Sequence, residues 1–416
     1  QAIKYLLPVC QLGGAYPSWL MALAQAYVGN HQPNSAMGVL NEVLKRGENS
    51  NALMMLGRIH QDNNSLSTAM KIYRRVEKNS KDYNQSLLLL AECHYTNEDY
   101  VAVTEQLEPL LAEKPDHNAA VKLCLNALSK LTQYDQALDL IKSIDNNKQL
   151  DEFNQLMHLY SGLLLDEKQQ YKQAWQHFAA IERVKPTDIG LLNSDEEKTV
   201  QQFSTSSDES VFRFVFTDRA TGHNDFISWL LKNNITPLID RFTSKDRNDV
   251  FLDDWTIKKL ENLNETQIHF FRKKYTKKLK KITSKENQAV VDLLPFSPIK
   301  LAIIKRIFPQ AQVLLLSRNF ADLRLHNYVF GSDQVHYIQF SKVVNQMVAM
   351  NPNMTLVDID TWQNQDEKVL QNIQKFFGCK LEPFIASKVK PLDRLMFPFM
   401  HWKNYQQQLN DQEQSG

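Results

Sequence analysis

The chain has 416 residues, too many for one ordinary core at about 100–200 residues per domain, and its 43% apolar and 23% charged composition is that of globular domains. Its 48 basic side chains offset 47 acidic ones, so no global field selects nucleic acid or an anionic membrane; the longest apolar runs, residues 87–91 and 313–316, fall far short of the roughly 20 residues a membrane span requires. Cys10, Cys93, Cys124 and Cys379 are scattered without CxxC or metal spacing, which suits buried thiols in a reducing, cytoplasmic setting.

Gln1 opens the chain without a charged-then-apolar leader, so a fragment or a processed product is expected. Residues 1–10, with Ala2 and Leu6 in phase with the downstream units, read as the second helix of a truncated repeat, and the array is expected to continue upstream. From about residue 17, small residues recur at Ala36, Ala69, Val103, Ala137 and Ala174, at intervals of 33, 34, 34 and 37. Four residues after each stands a large apolar residue (Leu40, Tyr73, Leu107, Ile141, Phe178), and three further on another (Val43, Val76, Leu110, Ile144, Ile181). This i, i+4, i+7 spacing predicts one buried face on the second helix of each unit. Twelve residues before the small position, Ala24, Gly57, Ala91 and Gly162 supply a small side chain on the first helix, while the fourth unit departs with Leu125. Pro115 and Pro186, twelve residues after it, end their helices because proline cannot continue the hydrogen-bond ladder.

A period near 34 with phase-locked helix pairs is the signature of tetratricopeptide repeats, here five from about 17 within an all-α region 1–187. Such repeats stack into a superhelix whose concave face takes a protein or peptide partner; the alternative is an array that merely holds the second domain. No regular clamp of Lys and Arg on the inner helices names the ligand.

Residues 188–210 break the pattern with polar runs at 193–198 and 204–210, loop chemistry that reads as a linker before a second domain at 211–416. There, residues 211–216 read as a strand, 217–224 as a turn and 225–232 as a helix. In such a turn outward N–H groups and a helix N-terminus can hold a phosphate, or the chain simply turns. Residues 272–281 carry seven basic side chains, with Phe271, Tyr275, Leu279 and Ile282 along one face. The basic side of this amphipathic helix is either solvated or meets an anionic peptide, glycan or nucleic acid, though the balanced overall charge makes nucleic acid an unexpected partner. Residues 289–294 read as a second strand, 299–307 as a helix, and 308–318 as a turn and third strand. This alternation predicts a parallel sheet with ligands at the carboxyl ends of its strands.

Three landmarks at those ends are specific: Asp218 through Asn224, with Arg219 and Gly222; Asp292-Leu293-Leu294-Pro295; and Ile304 through Ala311 leading to Arg318. Residues 370–377 before Gly378-Cys379, and Trp402-Lys403-Asn404-Tyr405, complete the tail. From about 211 to 405 the order and spacing resemble the sulfotransferases that bacteria fuse behind tetratricopeptide repeats, relatives of the tyrosylprotein sulfotransferases. Their motifs read P-R-S-G-T-T, D-K-x-P, and an Arg with a Ser eight residues on. The resemblance implies a P-loop-like, three-layer α/β domain with a mainly parallel sheet. It further implies metal-free sulfuryl transfer from 3′-phosphoadenosine 5′-phosphosulfate (PAPS), leaving 3′-phosphoadenosine 5′-phosphate (PAP). Arg219, Gly222, His223 and Asn224 would hold the 5′ end, and Arg318 and His326 the 3′-phosphate. Asp240 would be the base, unless it caps a turn or pairs with Arg241; Asp292, expected at a strand end with its pKa raised by apolar neighbours, is the second candidate.

The chain departs from the pattern where the chemistry is densest. The Thr-Thr pair is missing, Leu293 replaces the Lys, and His326 replaces the Ser. Each lost donor of this kind is worth on the order of 3 kcal/mol in the transition state. The expectation is a protein-binding scaffold carrying a degenerate sulfotransferase-like domain, a pseudoenzyme. The alternative is an active PAPS-dependent enzyme acting on a peptide or glycan acceptor presented by the array.

Overall fold

Phase-locked small and large residues become helix pairs. In the computed structural model the described residues are 2–11, 15–144, 151–182, 190–203, 212–218, 221–239, 250–251, 254–282, 289–330, 337–364, 366–384, 392, 397–398 and 400–415. The chain divides into two compact units, Gln1–Gln169 with Lys390–Asp393, and Gln170–Val389 with Arg394–Gly416.

The first unit holds α1 (Ala2–Gln11), α2 (Pro17–Gly29), α3 (Pro33–Lys45), α4 (Ser50–Asp62), α5 (Leu66–Tyr73), α6 (Tyr83–Thr96), α7 (Tyr100–Glu113), α8 (Asn118–Lys130), α9 (Tyr134–Lys142) and α10 (Asp151–Glu167), each packed on the next. Among the described residues it contains no strand. Ala36, Ala69, Val103, Ala137 and the large Leu40, Tyr73 and Leu107 are wholly buried. The reason for a glycine at 57 is direct: a Cβ there would lie 2.3 Å from the Tyr73 ring. Val76 and Ile144 lie just beyond the ends of α5 and α9 rather than on them, yet they remain buried, so the hydrophobic phase outlasts the helix.

The turns between paired helices repeat as well. His31, Asn64, Glu98 and Thr132 all adopt left-handed φ values of 55 to 61°. The residue after each then donates its N–H back to a carbonyl five positions earlier, as in Ser65 N to His60 O at 2.8 Å and Gln133 N to Leu128 O at 2.9 Å. These bonds close the helix ends and reverse the chain. Pro186 lies outside the described residues.

The second unit begins with α11 (Tyr171–Ala179), which carries Ala174 and Phe178. The linker reading gives way next: residues 194–201 form a helix, α12 (Ser194–Gln201). Asn193 and Glu196 make a reciprocal capping box, with Asn193 Oδ1 accepting from Glu196 N and Glu196 Oε2 from Asn193 N, both at 3.0 Å. Val200, on this otherwise polar helix, enters the core.

The remaining elements are β1 (Arg213–Phe216), α13 (His223–Lys232), β2 (Thr236–Leu238), α14 (Ile257–Glu261), α15 (Glu265–Ile282), β3 (Val290–Leu294), α16 (Pro298–Ile307), β4 (Gln312–Ser317), α17 (Phe320–Phe330), α18 (Tyr337–Met350), β5 (Thr355–Asp358), α19 (Ile359–Gln363), α20 (Glu367–Phe377), a 3-10 turn (His401–Tyr405) and α21 (Gln406–Ser415). The strands form one parallel sheet in the order β2-β3-β1-β4-β5. Phe214, Phe216, Leu294 and Leu315 face a core shared with α14, α15, α16 and α18; Val215, Leu293, Leu314 and Val357 face α13, α19 and α20. Alternate residues thus serve opposite faces, both buried, which is why these strands read as near-continuous apolar runs.

Candidate functional site

The sheet order sets β1 between β3 and β4, so the chain leaving its carboxyl end is flanked by those two strands. Ligands in open parallel sheets gather at such a place. Thr217 continues the ladder by donating its N–H to Leu294 O at 3.0 Å. Gly222, at φ +76°, then starts α13, a backbone conformation that glycine adopts without steric cost. Yet the turn spends its donors on itself. Asp218 N gives its proton to Thr221 Oγ1 at 2.9 Å, while Thr221 N and His223 N both reach Asp218 O, at 3.0 and 3.3 Å. The outward-pointing N–H groups expected here are therefore turned inward at three positions. His223 is buried and Asn224 exposed; Arg219 and Asp240 lie outside the described residues.

Asp292 departs from its expected place. It stands in the middle of β3, level with Phe214 and Leu238, two residues short of the strand's end. Its Oδ2 accepts a hydrogen bond from the buried Tyr275 hydroxyl of α15 at 2.8 Å. The carboxylate ties the basic helix to the sheet.

Arg318, expected at the 3′-phosphate, is buried, with Nε and Nη2 engaged and Nη1 without a hydrogen-bond partner among the described residues. Its Nε donates to Asp360 Oδ1 at 3.3 Å, and its Nη2 donates to the carbonyls of Phe397 and Pro398. Asp322, four residues on in the first turn of α17, accepts from Met400 N at 2.8 Å and Trp402 N at 3.2 Å. One guanidinium and one carboxylate thus fasten both polarities of the same backbone segment. His326 lies behind them, buried with its ring 4.8 Å from that of Phe330, which in turn packs on Phe397.

The charges around Arg318 form a cluster that single-sequence reasoning missed. Burial pushes the Asp360 carboxyl up to about 6; Arg318 opposes the rise, and Asp358 and Asp322 add to it. Asp225, in the first turn of α13, is also raised by burial, against the Gln363 amide at 3.0 Å and the field of Arg318. The site therefore brings Arg318 together with the first turn of α13, as the landmarks implied, but surrounds it with carboxylates. No motif announced them, since Asp322, Asp358 and Asp360 are ordinary residues of cap and first-turn positions whose convergence depends on the β4–β5 pairing.

No cluster of three or more His, Cys, Asp or Glu suited to a metal occurs among the described residues, and no helix among them is long and apolar enough to cross a membrane. A profile of the family described as anaphase-promoting complex, cyclosome, subunit 3 matches residues 62–144, inside the repeat array. No curated protein sequence matches the chain significantly. Among solved structures, MamA 41-end from Desulfovibrio magneticus RS-1 is similar at 16% identity over 39% of this chain and 91% of that one, with a TM-score of 0.34. The TPR2AB-domain:pHSP90-complex of yeast Sti1 is similar at 12% over 43% and 81%, TM-score 0.22. Full-length LpoA from Haemophilus influenzae is similar at 13% over 86% and 68%, TM-score 0.21. The repeat period, the paired helices and the family match make the first unit a tetratricopeptide-like array.

Proposed function

We propose that the chain is a protein-interaction scaffold in which the repeat array binds a protein or peptide and the second unit is a sulfotransferase-like pseudoenzyme. The array supports the first half: an open stack of helix pairs offers a continuous surface that no single unit could supply. The second half is carried by Arg318. A nucleotide phosphate reaching this guanidinium would find Nε and Nη2 already engaged by Asp360 and the 397–398 carbonyls, with only the buried Nη1 unpaired among the described residues, and would lie among Asp225, Asp322 and Asp358, whose fields repel it. Three N–H groups of the turn after β1, those of Asp218, Thr221 and His223, are spent inside it and are not available as compensating donors.

Two measurements test the two halves separately. Calorimetric titration of the full chain with PAP is expected to give no saturable heat. Micromolar binding, lost in Arg318→Ala, together with transfer of labelled sulfate to a peptide, would overturn the pseudoenzyme reading. For the scaffold, a photocrosslinking residue at Met54, on the first helix of its pair, is expected to capture a discrete partner, whereas one at the exposed Val101 on α7 is not. Capture at neither position, or equally at both, would contradict it.

A further inference from the structure

At the opposite end of the sheet from the turn after β1, the amino-terminal ends of β4 and β5 open onto a cleft of about 780 Å³. That volume lies inside the range of roughly 300–1,000 Å³ typical of small-molecule sites. Its walls come from the second unit alone: the end of α12, the last turn of α16 with the turn into β4, the turn between α18 and β5, and one face of α20.

The lining has an unusual chemistry. Two of its side chains are cationic, Lys305 and Lys375, and none is Asp or Glu. Asn351, Asn353, Asn372 and Gln312 add amides, each able to donate and accept at once. Such a set leaves a net positive, hydrogen-bonding recess in a chain whose total charge is nearly balanced. Lys305 is held in place by a 2.8 Å bond from its Nζ to Met350 O, and burial lowers its pKa, so an incoming negative charge would be repaid by stabilising its ammonium form. Lys375, in the last turn of α20, is exposed and makes no ion pair among the described residues.

We propose that this cleft binds a small, oxygen-rich organic anion of the hydroxycarboxylate or sugar-acid class. The carboxylate would meet Lys375 and Lys305, and the hydroxyls would exchange hydrogen bonds with the amides of Asn351, Asn353 and Asn372. A neutral sugar would leave both cations uncompensated. A bare inorganic anion would leave the amides unused. The proposal is independent of whether the far end of the sheet binds a nucleotide.

The test is calorimetry on the full chain with citrate, glucuronate and glucose as probes at fixed ionic strength. Saturable binding of citrate or glucuronate at about millimolar Kd or tighter is expected, with glucose at least tenfold weaker. Lys375→Glu should weaken the anion at least tenfold. Asn353→Ala should weaken it by a smaller factor, and Lys273→Glu, on the exposed side of α15, should leave it unchanged. Failure of both anions to bind overturns the proposal. So does equal binding of glucose, or binding that Lys375→Glu leaves intact.

Discussion

The repeat array and the sheet-bearing unit solve the burial of polar groups in opposite ways. In the array the core is mainly small and large apolar residues, with Asp166 on α10 its one buried charged residue among the described ones, and charged side chains bridge successive helix pairs at the surface, as Arg58 Nη1 does with Glu92 Oε2 at 3.1 Å, one repeat apart. In the second unit charges go inside: Arg318, Asp322 and Asp360 are buried, and Arg318 and Asp322 hold the backbone at Phe397, Pro398, Met400 and Trp402 from positions about 80 residues earlier. A local, periodic code therefore builds one unit, and long-range charge pairing finishes the other. The two should fail differently when broken.

The largest effect is expected at Arg318. Arg318→Ala strips the cation from between Asp360 and the 397–398 carbonyls, leaving buried acceptors without their donor, at a cost of about 3–5 kcal/mol. Urea unfolding followed by near-ultraviolet signals from Trp229 and Trp362 in the second unit should shift strongly, while an array probe at Trp19 should not. A shift of both together, or of neither, breaks the contrast.

Asp360 supplies a pH signature that the array should lack. Its folded carboxyl titrates near 6 against an ordinary 3.8, so between these values the folded chain keeps a proton that the unfolded chain has already released. Stability from this group is greatest below about pH 4, falls as pH rises through about 4–6, and is then constant at its lower level, a change of at most roughly 3 kcal/mol. Asp360→Asn should abolish that slope, so the stability difference between parent and variant should itself change between about pH 4 and 6. Denaturant midpoints at pH 4, 5, 6 and 7 provide the check; parallel pH profiles would refute the assignment.

In the array the sensitive sites are the small positions. Gly57→Ala forces a methyl into the Tyr73 ring and should cost about 1–3 kcal/mol. Gly38→Ala, in α3 where the added atom meets open space, should be neutral or stabilise by up to about 1 kcal/mol. Ala69 or Ala137 replaced by Leu should resemble Gly57→Ala. Thermal unfolding of the variants decides it: a Gly57→Ala protein as stable as Gly38→Ala would show that the helix pair is looser than its contacts suggest.

The same contrast sets how far the sequence could be read. Ala36 through Ala174 were legible because helix pairing depends on residues 12 apart and repeats depend on residues about 34 apart, distances a linear pattern preserves. The three principal strands were legible from their apolar runs. The turns were harder, because His31, Asn64, Glu98 and Thr132 occupy a backbone region usually signalled by glycine. Residues 193–198 read as a linker because polarity outweighed the Asn193-x-x-Glu196 capping signal. Asp292 was placed at a strand end since nothing local marks where pairing stops. The carboxylates around Arg318 were invisible, because Asp322 and Asp360 meet only once β4 and β5 pair and the chain returns at 397–402.

The smallest expected effect lies at the bridge that best displays the repeat. Arg58 and Glu92 occupy equivalent places on α4 and α6, 34 residues apart, and Gln61 joins them with Nε2 at 3.4 Å from the same Glu92 oxygen. Both partners of the ion pair are solvated, with 53% and 36% of their side chains exposed, so water screens the attraction and ordering two long side chains offsets much of what remains. A double-mutant cycle with Arg58→Ala and Glu92→Ala should therefore give a coupling below about 1 kcal/mol, shrinking further in 0.5 M salt. Equivalent placement would then coincide with little energy, because the two side chains merely occupy matching points of the backbone frame that the buried alanines, Gly57 and Tyr73 establish. A coupling above about 2 kcal/mol that survived salt would reverse this ranking and make the surface bridges a second source of cohesion between repeats.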